Sequence, residues 1–143
     1  MKIRFGIDAI EEQSFKLADP IPEGIRAEKL KLRYLIETEV LRSEEKVKVT
    51  AGVLYALEEE PVCELLVASF FNLNPFSEIV DVDESRKTVS FKSAVLQTLL
   101  GTAFGILRGV LFEKTKGSPL TAFPLPLIPM SALDEMNRFR VEK

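Results

Sequence analysis

Between residues 93 and 129 the chain reads SAVLQTLLGTAFGILRGVLFEKTKGSPLTAFPLPLIP. The first part is an apolar helix signal about five turns long. It stops at Gly117-Ser118-Pro119 and gives way to a segment rich in proline and leucine. Most of the chain before it alternates with the period of β-strands. A sheet with one apolar face needs a cover, and this helix is the only good candidate. Strands first and one long helix late predict an α+β fold in which the helix docks on an antiparallel sheet. The apolar segment that follows points to a scaffold that handles apolar partners, not to a chemical site.

The strands can be read in order. Ile3, Phe5 and Ile7 alternate with Lys2, Arg4 and Gly6, and Phe15 and Leu17 resume the alternation. A first strand with a bulge or bend within residues 8–13 is expected. Residues 19–24, DPIPEG, form a connection kept extended by two prolines and turned at Gly24. Leu30, Leu32, Tyr34, Ile36 and Val40 alternate with mostly charged residues, and Arg42 to Glu45 is a polar reversal. Val47, Val49, Ala51, Val53, Tyr55 and Leu57 alternate again, and Glu58 to Pro61 is a second, solvated reversal. Residues 62–73 are apolar on both parities, as in a strand covered on both faces or paired at an interface. Three such strands joined by tight reversals predict an antiparallel meander.

Residues 74–87 are acidic and read as loose. Ser93 is the expected cap of the long helix, which should run over residues 94–112. Residues 123–129 carry too much proline for a helix or a central strand and should lie extended across a surface. Residues 131–140 are expected as a short terminal helix. Ser131 and Asp134 would form a capping box, with Leu133, Met136 and Phe139 on one face. No repeat or boundary is visible, so residues 1–143 are read as one domain.

Composition removes several functions. Apolar residues at 46% and charged residues at 29% fit an ordered soluble protein. A net charge of -3 gives no electrostatic footprint for nucleic acid, though it leaves room for a basic partner. There is no His and one Cys, Cys63. A His/Cys zinc site, Ser-His-Asp and Cys-His pairs and an internal disulfide are therefore excluded. Cys63 reads as a buried small hydrophobe within a strand. Asp81, Asp83 and Glu84 resemble half of a calcium loop but lack its glycine and its final glutamate. The helical glycines lie inside a helix and not before one, so they form no phosphate loop. No carboxylate pair is marked out for acid/base work. The chain is expected to be no enzyme and to need no metal or cofactor. Charges throughout MKIRFGIDAIEEQ exclude a signal peptide, which makes the cytoplasm the expected compartment.

Two features stand out for binding. Gly101, Gly105 and Gly109 are spaced by four and share one helix face. Each costs about 1 kcal/mol against Ala, so a close backbone approach should offset them. That approach is either to the chain's own sheet or to another helix across a subunit contact. A membrane span is a third reading. Gln97 and Arg108 interrupt a run near the lower length limit, so no stable insertion is expected. The second feature is the proline-rich segment, which is either a core edge or one wall of a groove for apolar peptide. In the groove reading Phe123, Leu125, Leu127 and Ile128, with Leu133 and Met136, form the wall. Leu30, Leu32 and Tyr34 form the floor. The prolines would offer those side chains at low entropic cost.

Four segments in order carry a resemblance. These are IEEQSF at 10–15, KVKVTA at 46–51, VCELLVASFF at 62–71 and KGSPLTAFPLPLIP at 116–129. Together they resemble the SecB family of cytosolic protein-export chaperones, including the SecB-like chaperones paired with toxin–antitoxin systems. The resemblance implies a four-stranded antiparallel sheet followed by a long helix and a short one. It also implies a dimer of dimers, hence a homotetramer, with the long helices between the sheets, which would give the glycine face its partner. The implied function is ATP-independent holding of unfolded or nascent clients in an apolar groove, with handover to the SecA motor or, in the other branch, an antitoxin as client. Residues 19–30 lack the aromatics that line the groove in some members. On the SecA-contacting surface Glu12 and Glu64 fall on acidic positions, while Lys16 reverses the charge of another. The acidic tail of the export members has no counterpart in Arg140 to Lys143. Client holding is therefore expected more firmly than SecA binding. A small-molecule-binding or hot-dog-like thioesterase domain is the alternative from a different class. That fold usually has its long helix after the first strand, whereas here the helix follows the strands. A membrane-attached adaptor is a third class.

Overall fold

A computed structural model of the chain describes residues 2–92 and 94–141. Ser93, the expected helix cap, lies outside the described residues. Four antiparallel strands come first: β1 (Arg4–Leu17), β2 (Leu30–Leu41), β3 (Lys46–Leu57) and β4 (Glu60–Asn74). Alternation decides their faces. Leu32, Tyr34, Ile36, Thr38 and Val40 of β2 stand opposite Tyr55, Val53, Ala51, Val49 and Val47 of β3. Those in turn stand opposite Cys63, Leu65, Val67, Ser69 and Phe71 of β4. The result is one nearly continuous apolar inner face. The β3–β4 reversal is a two-residue loop in which Glu58 and Glu59 both have positive φ, 51° and 71°. Its sense of twist matches that of the flanking strands.

β1 pairs with β4 and not with β2. The connection over residues 18–29 therefore leads from one side of the sheet to the other. Along it Ile21 is buried and Ile25 packs against the core. One bulge was expected in β1, and the register has two shifts, leaving Asp8 and Gln13 unmatched. Each one-residue shift reverses the faces, so two restore them. Phe5, Ile7, Ile10, Glu12, Phe15 and Leu17 consequently all stand opposite inner-face residues of β4.

The stretch read as loose is structured. It forms α1 (Phe76–Ile79) and a hairpin of β5 (Val80–Asp83) and β6 (Thr88–Phe91). Val80 stands opposite Phe91, and Val82 opposite Val89. The Asp83 carboxylate accepts hydrogen bonds from the Ser85 hydroxyl and the amides of Ser85 and Arg86. These bonds, chiefly the hydroxyl, hold Asp83 below the usual carboxylate range. The residue that resembled a calcium ligand is a turn former.

α2 (Val95–Lys114) covers the inner face, within two residues of its expected end. Val95, Leu99, Leu100, Ala103, Phe104, Leu107 and Leu111 are buried at helical spacing. They pack with Tyr55, Leu65 and Phe71 in one core. Each fully buried side chain of this size contributes about 1.5–3 kcal/mol. The second parity of β4 carries Val62, Leu66, Ala68 and Phe70, and among the described residues no second layer of helices or sheet packs over it. There Leu66 lies against Gly52, and the Lys48 ammonium sits 5.6 Å from the Phe70 ring centroid.

The end of the chain departs from expectation. α3 (Met130–Met136) begins after Pro129, so Ser131 forms no capping box. The helix expected through residue 140 stops at Met136. Residues Asn137–Val141 form β7, parallel to β2 from Ile36 to Val40. The main sheet therefore has five strands in the order β1-β4-β3-β2-β7 and is mixed, not four-stranded and antiparallel. An unpaired edge of β2 accounts for the change, because it offers backbone groups to any strand that alternates. Arg138, Phe139, Arg140 and Val141 do alternate. The buried Thr38 hydroxyl adds a hydrogen bond of 2.7 Å to the Asn137 side-chain oxygen.

Cys63 is buried in β4 beside this core, and burial, with Glu64 as a lesser cause, pushes its thiol up to about 11. Its stabilising effect is whole below pH 9 and should be lost as pH rises from 9 to 11, where the unfolded chain gives up the proton first. A disulfide reagent at pH 8 should react with the native protein roughly a hundredfold more slowly than with the urea-unfolded chain. Equal rates would place Cys63 outside the core.

Candidate functional site

Prolines at 124, 126 and 129 keep the segment after α2 out of any ladder, so its carbonyls need other donors. Two side chains supply them. Arg108 of α2 donates from Nε to the Leu125 carbonyl and from Nη2 to the Pro126 carbonyl, each at 3.0 Å. Its guanidinium lies 5.5 Å from the Phe104 ring centroid. The Tyr55 hydroxyl of β3 donates to the Phe123 carbonyl at 2.7 Å. Burial, then the neighbouring Tyr34 and Cys63, raises the Tyr55 pKa, so the phenol stays a donor across the working range. Sequence reasoning missed both residues. Arg108 read only as a flaw in a membrane span. Its signal was a lone guanidinium in an apolar helix followed by a proline-rich segment with unpaired carbonyls.

The proposed floor and wall meet at this clamp. Leu32 stands opposite Tyr55 in the ladder, and Tyr55 holds Phe123. Tyr34 meets Phe104 edge-on, with ring centroids 5.7 Å apart, and burial raises its pKa. Leu30, Leu32, Tyr34, Phe123, Ile128 and Met136 are all half-buried and packed against the core. Leu125 and Leu133 are core residues, each 3% exposed. Leu127 is 88% exposed. The segment thus has an anchored inward side chain at Leu125 and a free outward one two residues later at Leu127. Ile21 and Ile25, from the connection without aromatics, are the further apolar residues that sequence reasoning did not assign.

The charged pair does not form one patch. Glu12 is on the helix side of the sheet, bonded to Lys114 of α2 at 2.6 Å. Glu64 is on the other face, opposite Lys16 and Leu54. Of the three helical glycines, Gly101 faces the Met130 side chain, and a Cβ on Gly105 or Gly109 would meet nothing within 4 Å. The glycine face is therefore turned away from the chain's own sheet. Phe5, Ile7 and Ile10 on β1 are exposed on the same side of the sheet that α2 covers elsewhere. Among the described residues no group of His, Cys, Asp and Glu is arranged to hold a metal. α2 is long and apolar enough to cross a bilayer, but its buried stripe is the cover of the sheet.

Burial separates two leucines that sequence pattern cannot. Leu125→Asp should cost about 3 kcal/mol or more, since it places an unpaired carboxylate in the core. Leu127→Asp should change stability by less than about 0.5 kcal/mol. Urea denaturation of the two variants measures the difference, and equal losses would refute the assignment of Leu125 to the core and Leu127 to the surface.

No protein-family model matches the chain, and no curated protein matches its sequence. Solved structures do match its fold. One is the Mycobacterium tuberculosis SecB-like chaperone Rv1957, determined in complex with a ChAD peptide from the HigA1 antitoxin. The two superpose over 87% of this chain and 86% of that one, with a TM-score of 0.55 and 11% sequence identity. At that identity the likeness is one of architecture: the sheet, the long helix and the short helix after it form a SecB-like fold.

Proposed function

We propose that this chain is an ATP-independent chaperone that holds unfolded or nascent polypeptide in the cytoplasm. The observation that carries the reading is that apolar residues of β2 and of the proline-rich segment stay half-buried beside the core, with Leu127 in solvent, on a SecB-like frame. The groove floor is Leu30, Leu32 and Tyr34, and its wall is Phe123, Leu127, Ile128 and Met136, with Leu125 and Leu133 as anchors. Client side chains would leave water there at about 25 cal/mol per Å². The backbone at the edge of β2 would add affinity without sequence preference. The solved relative in fold binds an antitoxin peptide, so an antitoxin segment is a proposed client here beside export clients. Glu12 and Glu64 lie on opposite faces and each has a basic neighbour, which gives SecA little to recognise. The hot-dog thioesterase reading gains no support, because α2 follows the four antiparallel strands.

The purified protein should suppress aggregation of a chemically unfolded client without nucleotide. Leu32→Asp combined with Leu127→Asp should remove most of that activity, roughly tenfold or more, while the far-UV circular dichroism stays native. Undiminished holding by the folded double variant would refute the groove.

The same reading includes self-assembly as a dimer or tetramer. The glycine face, open at Gly105 and Gly109, and the apolar Phe5, Ile7 and Ile10 of edge strand β1 are its proposed contacts. Gly105→Leu meets nothing within its own chain and improves helix propensity by about 0.8 kcal/mol. It should nevertheless weaken assembly, because the new side chain would separate two closely packed backbones. Light scattering checks this. A native protein that is monomeric at micromolar concentration, or a variant that assembles equally well, would contradict it.

A further inference from the structure

One edge of the sheet is only partly filled. β2 pairs with β3 along all of Leu30 to Leu41, but its other edge carries β7 over Ile36 to Val40 alone. Among the described residues no strand pairs with that edge over residues 30–35. β7 is the sheet's one parallel partner among them, and parallel ladders are slightly weaker per residue than antiparallel ones. Its side chains add little. Asn137 is buried, but Arg138, Phe139 and Arg140 are exposed. The Asn137 side-chain oxygen accepts from Thr38, yet its Nδ2 is buried without a partner, which is costly. Arg140 reaches Glu37 at 3.2 Å in the open, where ion pairs contribute little. Phe139 stacks on Phe91 with centroids 6.3 Å apart. A strand held this way is at the low end of local stability.

What β7 does have is a pattern. Arg138 and Arg140 stand in register with Glu37 and Glu39 of β2, and Phe139 and Val141 with Thr38 and Val40 of the inner face. The edge it occupies is the direct continuation of Leu30, Leu32 and Tyr34. We infer that β7 is a resident stand-in for the client. An extended partner segment in which apolar residues alternate with basic ones displaces it and pairs along residues 36–40 of β2, where its basic residues face Glu37 and Glu39; Lys31 and Arg33 on the same parity keep basic residues from extending further. The inference rests on the groove reading above and specifies both the partner's chemistry and a built-in control. With β7 attached, apparent affinity is reduced by the fraction of molecules whose edge is free.

The test uses the full chain in three forms: native, Phe139→Asp with Arg140→Pro, and Glu39→Cys with Arg140→Cys. The second form detaches β7, since Pro cannot join the ladder and Asp removes the stack. The third locks β7 to β2 when oxidised. The probes are a labelled synthetic peptide alternating Arg with Phe and Val, and its counterpart with Glu in place of Arg. The detached form should bind the Arg peptide about tenfold more tightly than native; the locked form, which lacks the Glu39 carboxylate in either state, should bind it about tenfold more weakly when oxidised than the same protein after reduction. The Glu peptide, whose carboxylates match only Lys31 and Arg33 on the part of the edge that β7 leaves free, should bind all three forms alike. Equal affinity for the Arg peptide across the three forms, or the same shifts with the Glu peptide, overturns the inference. Aggregation assays on the same proteins separate it from the groove reading. If no form holds an unfolded client while the peptide affinities shift as stated, holding fails and strand exchange stands. If all forms hold the client equally with unchanged peptide affinity, strand exchange fails and the groove stands. If the detached form loses its native circular dichroism, the reversible loss in the locked form decides alone.

Discussion

The contact between α2 and the inner face of the sheet governs the rest of the molecule. Leu99, Leu100 and Leu107 are fully buried against a face made by alternate residues of β2, β3 and β4. One helix covers the middle of that face and not its margins. On one side it leaves Phe5, Ile7 and Ile10 of β1 exposed. On the other it leaves Leu30, Leu32 and Tyr34 half-covered. Because the leucine stripe faces inward, the glycines point outward. Arg108 is then positioned to clamp the returning chain through the carbonyls of Leu125 and Pro126.

The parts of this arrangement legible in sequence were those governed by one strong period. Alternation in 30–57 and helical spacing in 95–111 each have a single physical solution, and the structure follows both. Glycine spacing correctly marked one helix face but could not choose its partner; the open space at Gly105 excludes the chain's own sheet. Where two weak signals competed, pattern failed. Residues 131–140 satisfy helical spacing through Leu133 and Met136, yet the last of them also alternate. The free edge of β2, a tertiary feature, decides in favour of a strand from Asn137. Residues 80–91 carry too few apolar residues to announce a hairpin, and the side chain of Asp83 supplies its turn.

The proposed site was legible as a list of apolar residues and not as a geometry. Leu125 and Leu127 are indistinguishable in sequence, but one is core and the other solvent-exposed. The clamp between them and the fold was invisible because it uses the backbone of one segment and the polar ends of two distant side chains. Glu12 and Glu64 illustrate the converse. Both were assigned to one surface by position in a resemblance, and the two shifts in β1, together with strand parity, set them on opposite faces.

A holding groove on the helix side of the sheet and none on the open side makes a spatial claim that photo-crosslinking addresses directly. A photoreactive amino acid would be placed singly at Leu32, Leu127, Leu54 or Leu66, and each protein irradiated with an unfolded client. Leu54 and Leu66 are half-buried on the opposite face, so apolarity alone does not separate the four. Crosslinks at positions 32 and 127, with none at 54 and 66, are the predicted result. Crosslinks confined to positions 54 and 66 would contradict it and move the binding surface to the other side of the sheet.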